Sequence, residues 1–153
     1  MKRVGLICCL MMLFHTGIAF AAGPGKAEFD KWARAVKLPG YSYGGVDQTD
    51  PGVFMAAWMS SKGEVLGVHL SPLASFKDFQ QVINKKKPES FSYKGVPAVY
   101  NDGTGFGQIA VKYEQSGKMI SISQMGQSAN PKGLTKTELI KLLDVMKPEL
   151  LLK

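Results

Sequence analysis

The chain has 153 residues, 45% of them hydrophobic and 20% charged, with a formal net charge of +7. Its only two cysteines, Cys8 and Cys9, lie inside an apolar N-terminal run. Once that run is removed, a disulfide framework, a thiol nucleophile and a cysteine-based zinc site are excluded together.

Residues 1–21 have the three parts of a secretory signal peptide: Lys2-Arg3, an apolar run from Val4 to Phe20, and small residues at Ala19-Phe20-Ala21 before Ala22. The run is near the lower length limit for a membrane-spanning helix. The small residues and Gly23-Pro24-Gly25 that follow favour cleavage over anchoring. The expectation is a single mature domain, 22–153, periplasmic or secreted and without stable membrane insertion. Losing Lys2 and Arg3 lowers the charge from +7 to about +5, a mild excess spread along the chain. Its one cluster, Lys85-Lys86-Lys87, reads as a solvated helix end, where cations suit the dipole. Contact with anionic lipid or glycan is the alternative. Nucleic acid is not expected as a partner, because binding it takes several cations on one face with stacking residues among them.

Ala27 to Lys37 carries Phe29, Trp32, Ala33 and Val36 at helical spacing. This predicts an amphipathic N-terminal helix over 26–38, stopped by Pro39-Gly40.

From residue 41 onward the chain repeats itself. Ser75 to Glu89 matches Thr135 to Glu149 at a shift of 60, through Asp78/Glu138, Phe79/Leu139, Val82/Leu142, Ile83/Leu143 and a shared Lys-Pro-Glu at each end. Tyr41 to Val46 matches Phe91 to Val96 at a shift of 50, and Gly63 matches Gly117 at 54. Such self-similarity predicts units that cannot bury a core alone and must pack together. Unit one spans 41–89 and unit two 91–149. Each is read as strands followed by a helix, so the fold class is α+β: internally duplicated βββα units forming one antiparallel sheet, with the helices packed on one face, plus the N-terminal helix.

Within the units, Ser60 to Glu64 and Gln115 to Lys118 read as hairpin turns. Alternation then divides the strands by face. Aligned at 54, Met55, Ala57 and Met59 pair with Ile109, Val111 and Tyr113, and Leu66 and Val68 pair with Ile120 and Ile122. This shared set is expected to face the helices. The other face would show Phe54, Ala56, Trp58, Val65, Gly67 and His69 in unit one, and a wet surface of Gln108, Lys112, Glu114, Ser121 and Ser123 in unit two. The aromatic strip Phe54/Trp58 beside His69 needs a cover: the N-terminal helix, a ligand or a second copy. Helix starts are expected at Ser75-x-x-Asp78 and Thr135-x-x-Glu138, both capping boxes, with Leu134 and Leu139 as a hydrophobic staple. Both helices stop before Pro88 and Pro148.

Candidate chemistry is sparse. His69 is the one histidine of the mature chain, and no Gly-x-Ser-x-Gly elbow accompanies it. No carboxylate pair stands out for glycoside hydrolysis. A copper site would have to combine His69 with Met55, Met59, Met119 or Met125, but Met55 and Met59 fall on the inferred core face. No metal and no cofactor is therefore expected. Asn101 to Gly107 lacks the lysine of a phosphate loop and the spaced acids of a calcium loop, and reads as a glycine-rich hairpin connection.

The shift grows from 50 to 54 to 60, so unit two carries insertions near 97–106 and 124–133. Loops that break an internal symmetry are free of the shared core and are natural binding positions. The candidate binding residues are Tyr100, Asp102, Thr104, Phe106, Gln124, Gln127, Ser128 and Asn130, uncharged or aromatic groups except for Asp102. The functional expectation is a small non-catalytic binding or accessory protein of the cell envelope, taking a protein, peptide or glycan, as monomer or homodimer. The alternatives are a small envelope hydrolase or transferase using His69, and a structural homodimer joined through the Phe54/Trp58 face.

Overall fold

The computed structural model describes residues 23–81, 87–103, 106–125 and 133–152. The expected signal peptide and the Lys85-Lys86 pair lie outside the described residues. In chain order the elements are helix α1 (Lys26–Ala35), strands β1 (Tyr41–Asp50), β2 (Val53–Ser60) and β3 (Val65–Pro72), and a 3-10 turn (Leu73–Ser75) leading into helix α2 (Phe76–Phe79). Strands β4 (Glu89–Tyr93), β5 (Val96–Gly103), β6 (Phe106–Tyr113) and β7 (Lys118–Met125) follow, then helix α3 (Lys136–Met146) and a 3-10 turn (Pro148–Leu150). The strands form one seven-stranded antiparallel sheet in the order β1-β2-β3-β7-β6-β5-β4, so the fold is α+β and mostly sheet. Among the described residues no helix is long and apolar enough to cross a membrane.

The two halves meet at β3 and β7, in the middle of the sheet. They are not two equal βββα units. The second half has four strands, and β5 holds the place beside β6 that β1 holds beside β2. The likeness of 41–46 to 91–96 thus relates β1 to β4 and the turn after it, which are not equivalent in the sheet.

One face of the sheet carries the main core. Phe54, Ala56 and Trp58 of β2, Leu66, Val68 and Leu70 of β3, Ile109 and Val111 of β6, and Ile120 and Ile122 of β7 form one cluster with Phe29, Trp32 and Ala33 of α1 and Leu139, Leu143 and Met146 of α3. Cross-strand pairs Trp58/Leu66, Val68/Ile122 and Val111/Ile120 put these side chains on the same side. This corrects the expected faces of β2: Met55, Ala57 and Met59 point away from the core, and Phe54, Ala56 and Trp58 point into it.

Turn length explains the inversion. Ser60 pairs with Glu64 around the three residues Ser61-Lys62-Gly63, whereas Tyr113 pairs with Lys118 around the four residues Glu114 to Gly117. Aligning the left-handed glycines Gly63 and Gly117 therefore superposes β3 on β7 correctly but leaves β2 one residue out of step with β6. A one-residue slip moves every side chain of a strand to the other face.

The helices do not share a face, a second correction. Phe76 of α2 packs with Val99, Ala110 and Met119, whose chain neighbours Ala98, Val111 and Ile120 point into the main core. Helix α2 accordingly sits on the face opposite α1 and α3. It is also short, and the expected continuation through Val82 and Ile83 lies outside the described residues. Ser75 is itself in right-handed helical conformation and makes no side-chain cap, so the Ser75/Asp78 capping box does not form. Leu73 instead donates its N–H to the Gly117 carbonyl, fixing the exit from β3 against the β6–β7 turn.

The Thr135/Glu138 box does form. The Glu138 N–H donates to Thr135 Oγ1 at 3.3 Å, and the Thr135 N–H donates to Glu138 Oε2 at 2.8 Å. The Thr135 hydroxyl, which donates to Glu138 Oε2 at 2.7 Å, and then the Thr135 N–H hold the Glu138 carboxyl below its ordinary pKa. Stability from this box is therefore present above the ordinary glutamate range and lost as pH falls through the lowered folded value. Thr135→Ala is expected to cost about 1 kcal/mol at neutral pH. In urea melts, the penalty of Glu138→Gln should shrink as the pH is taken below 4.5, the ordinary value.

Candidate functional site

Of the eight residues expected to form a loop site, Thr104, Gln127, Ser128 and Asn130 lie outside the described residues. The other four are strand residues that divide between the two faces. Tyr100 packs against the main core. Asp102 and Gln124 share its face, since Asp102 pairs with Gly107 and Gln124 pairs with Leu66. Gly107 lies between them in the sheet, which separates Asp102 and Gln124 by two strand spacings, about 9–10 Å. Phe106 points to the other face, in step with Gln108 and Ala110.

The glycine-rich stretch is mostly strand rather than connection, because Asn101, Asp102 and Gly103 pair with Gln108, Gly107 and Phe106. Asn101 is buried, and its side-chain amide donates to the Phe79 carbonyl at 2.9 Å, tying α2 to the sheet. Gly107 is required by contact: a Cβ there would overlap the carbonyl oxygen of Leu134, which crosses the strand on the way to α3.

The alternative aromatic site is also rearranged. Phe54 and Trp58 are buried in the chain's own core, Trp58 at 1% exposure, so they offer no surface to a second copy. His69 lies on the opposite face, away from both. The N-terminal end of the core is closed by α1, where Asp30 accepts hydrogen bonds from Arg34 and from the Tyr43 hydroxyl. Those two partners lower the Asp30 pKa, with Arg34 the larger cause. Burial, with the Asp30 hydrogen bond, raises the Tyr43 hydroxyl to about 12.

On the opposite face the register sets out two rows of side chains. Met55, His69, Ser121 and Ala110 lie side by side from β2 across β3 and β7 to β6. Ala57, Gly67, Ser123 and Gln108 form the next row. Helix α2 covers the β5–β6 side of this face through Phe76. The β2–β3 side carries Met59, 51% exposed, with Met55, Ala57 and Val65 partly exposed around a floor made by Gly67. The serines are not a wet surface: Ser121 is 1% exposed and Ser123 is buried too. Ser121 Oγ has no hydrogen-bond partner among the described residues. His69 is partly buried, and desolvation holds its imidazole below the ordinary pKa, favouring the neutral ring at neutral pH.

Ser121 and His69 are cross-strand neighbours without a hydrogen bond between them. The carboxylate nearest by register, Asp47, pairs with Met55 on the edge strand and is two strands from His69. A nucleophile–base–acid relay is therefore not assembled here. Elsewhere, a cleft of 420 Å³ lies under the β6–β7 turn among Pro97, Tyr113 and Leu152. Its charged rim is already paired, Lys112 with Glu114 at 2.6 Å and Lys94 with Glu149 at 2.9 Å. No group of three or more His, Cys, Asp or Glu side chains is placed to hold a metal among the described residues.

No known family model matches this chain, and no curated protein or solved structure matches it either.

Proposed function

We propose that this is a non-catalytic binding protein of the cell envelope, periplasmic or secreted, that takes its ligand on the β2–β3 side of the opposite sheet face. The observation that carries the reading is the surface formed by Met55, Ala57, Met59 and Val65 around Gly67, with the main core and α1 behind it and α2 displaced to the other side. Adjacent apolar side chains left at a surface mark contacts, and flexible thioethers suit adaptable ones. A protein or peptide segment fits this surface better than a glycan, because the aromatic rings of β1 and β2 beside it are turned into the core. Asp102 and Gln124 stand on the core side of the sheet and are not part of this surface. In the same reading, the chain is a duplication in which β2–β3 and β6–β7 are equivalent hairpins, the second half gained a strand and α1 closes the first.

A photo-crosslinking amino acid placed at Met59 or Ala57 in the native envelope is expected to trap a defined partner, while the same group at Lys31 or Lys141 on the helices traps none. Adducts from the helix positions alone, or from none of the four, would overturn the reading.

A further inference from the structure

We propose that the opposite face holds a monovalent soft metal ion, copper(I), between Met55, His69 and Met119. The inference rests on the reading above that this face binds a ligand, and it names a ligand for the His69 end of it.

Register brings the three side chains together. Met55 is the direct cross-strand neighbour of His69 on one side. On the other side His69 pairs with Ser121 and Ser71 pairs with Met119, which makes Met119 the diagonal neighbour of His69. Direct neighbours have Cβ atoms about 4.5–5.5 Å apart and diagonal ones about 7–8 Å, spans that a long, unbranched thioether covers. The sequence-based objection to copper was that Met55 faces the core, and the observed register removes it.

The chemistry of the set is selective. Two thioethers and one imidazole are neutral, soft-to-intermediate donors of the kind that select copper(I). Hard divalent ions prefer carboxylate and carbonyl oxygen, and none of the three residues supplies a carboxylate. By register, the charged groups on the flanking strands are Asp47, beside Met55 on the edge strand, and Lys112, beside Met119. Lys112 is already paired with Glu114 at 2.6 Å. Met119 is 0% exposed under Phe76 and His69 is partly buried, so the ion would sit where water is excluded on one side.

A second observation points to a ligand at the same place. Ser121 is 1% exposed, its Oγ has no partner among the described residues, and it stands directly across from His69. An orphaned buried hydroxyl is unfavourable, because its lost hydration is not replaced by another hydrogen bond. A metal-bound histidine donates its other ring N–H to an acceptor that fixes its orientation. With one ring nitrogen on copper, the other would give Ser121 Oγ the partner it lacks.

The test is a competition titration of the purified, reduced chain against the copper(I) complex of bicinchoninate, without oxygen. One equivalent of copper(I) is expected to leave the chelator. Outer-shell partners alone change metal affinity about 10- to 100-fold, and ligands count for no less. Met55→Leu and Met119→Leu should therefore each weaken binding at least about tenfold, and His69→Ala should weaken it further, whereas Met59→Leu should leave it unchanged. Met-to-Leu changes conserve volume, and unchanged urea midpoints will separate lost binding from lost folding. Failure to withdraw copper overturns the site, as does a Met55→Leu/Met119→Leu double variant that binds like the native chain. Binding of zinc(II) alone, indifferent to both methionines, also overturns it. Adducts at Met59 with no copper withdrawn would remove the metal site and leave the partner reading intact. Neither signal would remove both.

Discussion

Gly107→Ala is expected to lower stability by about 3 kcal/mol or more, at or beyond the upper end of overpacking costs. The glycine has no special backbone angle to protect. It lies within β6, and a Cβ there would meet the carbonyl oxygen and carbon of Leu134, which are main-chain atoms held by the approach to α3. A flexible side chain could turn aside, but a backbone carbonyl moves only with its segment. Gly133 makes the reciprocal approach: its Cβ would come within 2.6 Å of the Phe106 Cα, and its own φ of +61° already favours glycine. The check is urea unfolding, in which a lower midpoint with an unchanged slope reports lost stability. Gly44→Ala is the control, since its nearest contacts, Ala57 O at 3.4 Å and Met59 Cε at 3.6 Å, leave room for a methyl group. Equal midpoints for Gly107→Ala and the native chain would show that Leu134 does not lie over β6.

Trp58→Ala should cost about 3–5 kcal/mol, the range for removing a large buried aromatic side chain. Trp58 is in edge-to-face contact with the Tyr43 ring, at a centroid distance of 5.7 Å, and shares its cluster with Phe29 and Trp32 of α1. Its indole N–H is buried without a hydrogen-bond partner among the described residues. Trp58→Phe removes that unpaired donor along with some volume, so it should cost much less than Trp58→Ala, and Trp58→Asp should not fold. Met59, the next residue along and 51% exposed, should tolerate Met59→Ser within about 0.5 kcal/mol. Denaturation gives this ranking, and sedimentation adds an independent reading. A Trp58→Asp variant that stays folded and turns a dimer into monomers would place Trp58 at an interface and overturn its position in the core.

Adjacent residues with opposite outcomes show where a sequence can mislead. The alternation of Phe54, Ala56 and Trp58 with Met55, Ala57 and Met59 was legible, but both sets are apolar and either could have faced the helices. Parity had to be taken from the comparison of two hairpins, and one residue of difference between their turns reversed it. His69 lay on its inferred face from the start, yet its neighbours changed from an aromatic strip to Met55, Ser121 and Met119 once β2 was turned over. Asn101 shows the same limit in another form. Asn-Asp-Gly is ordinary turn chemistry, and only the position of α2 makes the Asn101 amide a buried tie to Phe79. The signal that could have suggested it is the apolar Val99 two residues earlier on the same face.

What depends on a few residues was readable in the sequence: hairpin turns around Ser60 to Glu64 and Gln115 to Lys118, the capped start of α3, the amphipathic stripe of α1 and the α+β class. Each of these depends on a local backbone requirement or on periodicity within one element. Tertiary packing decided which face of β2 is buried, that α2 stands apart from α1 and α3, that β5 rather than β4 lies beside β6, and which groups surround His69. These are questions of register between segments far apart in the chain. A local pattern states that a strand has two faces, and the partner strand decides which of them meets the core.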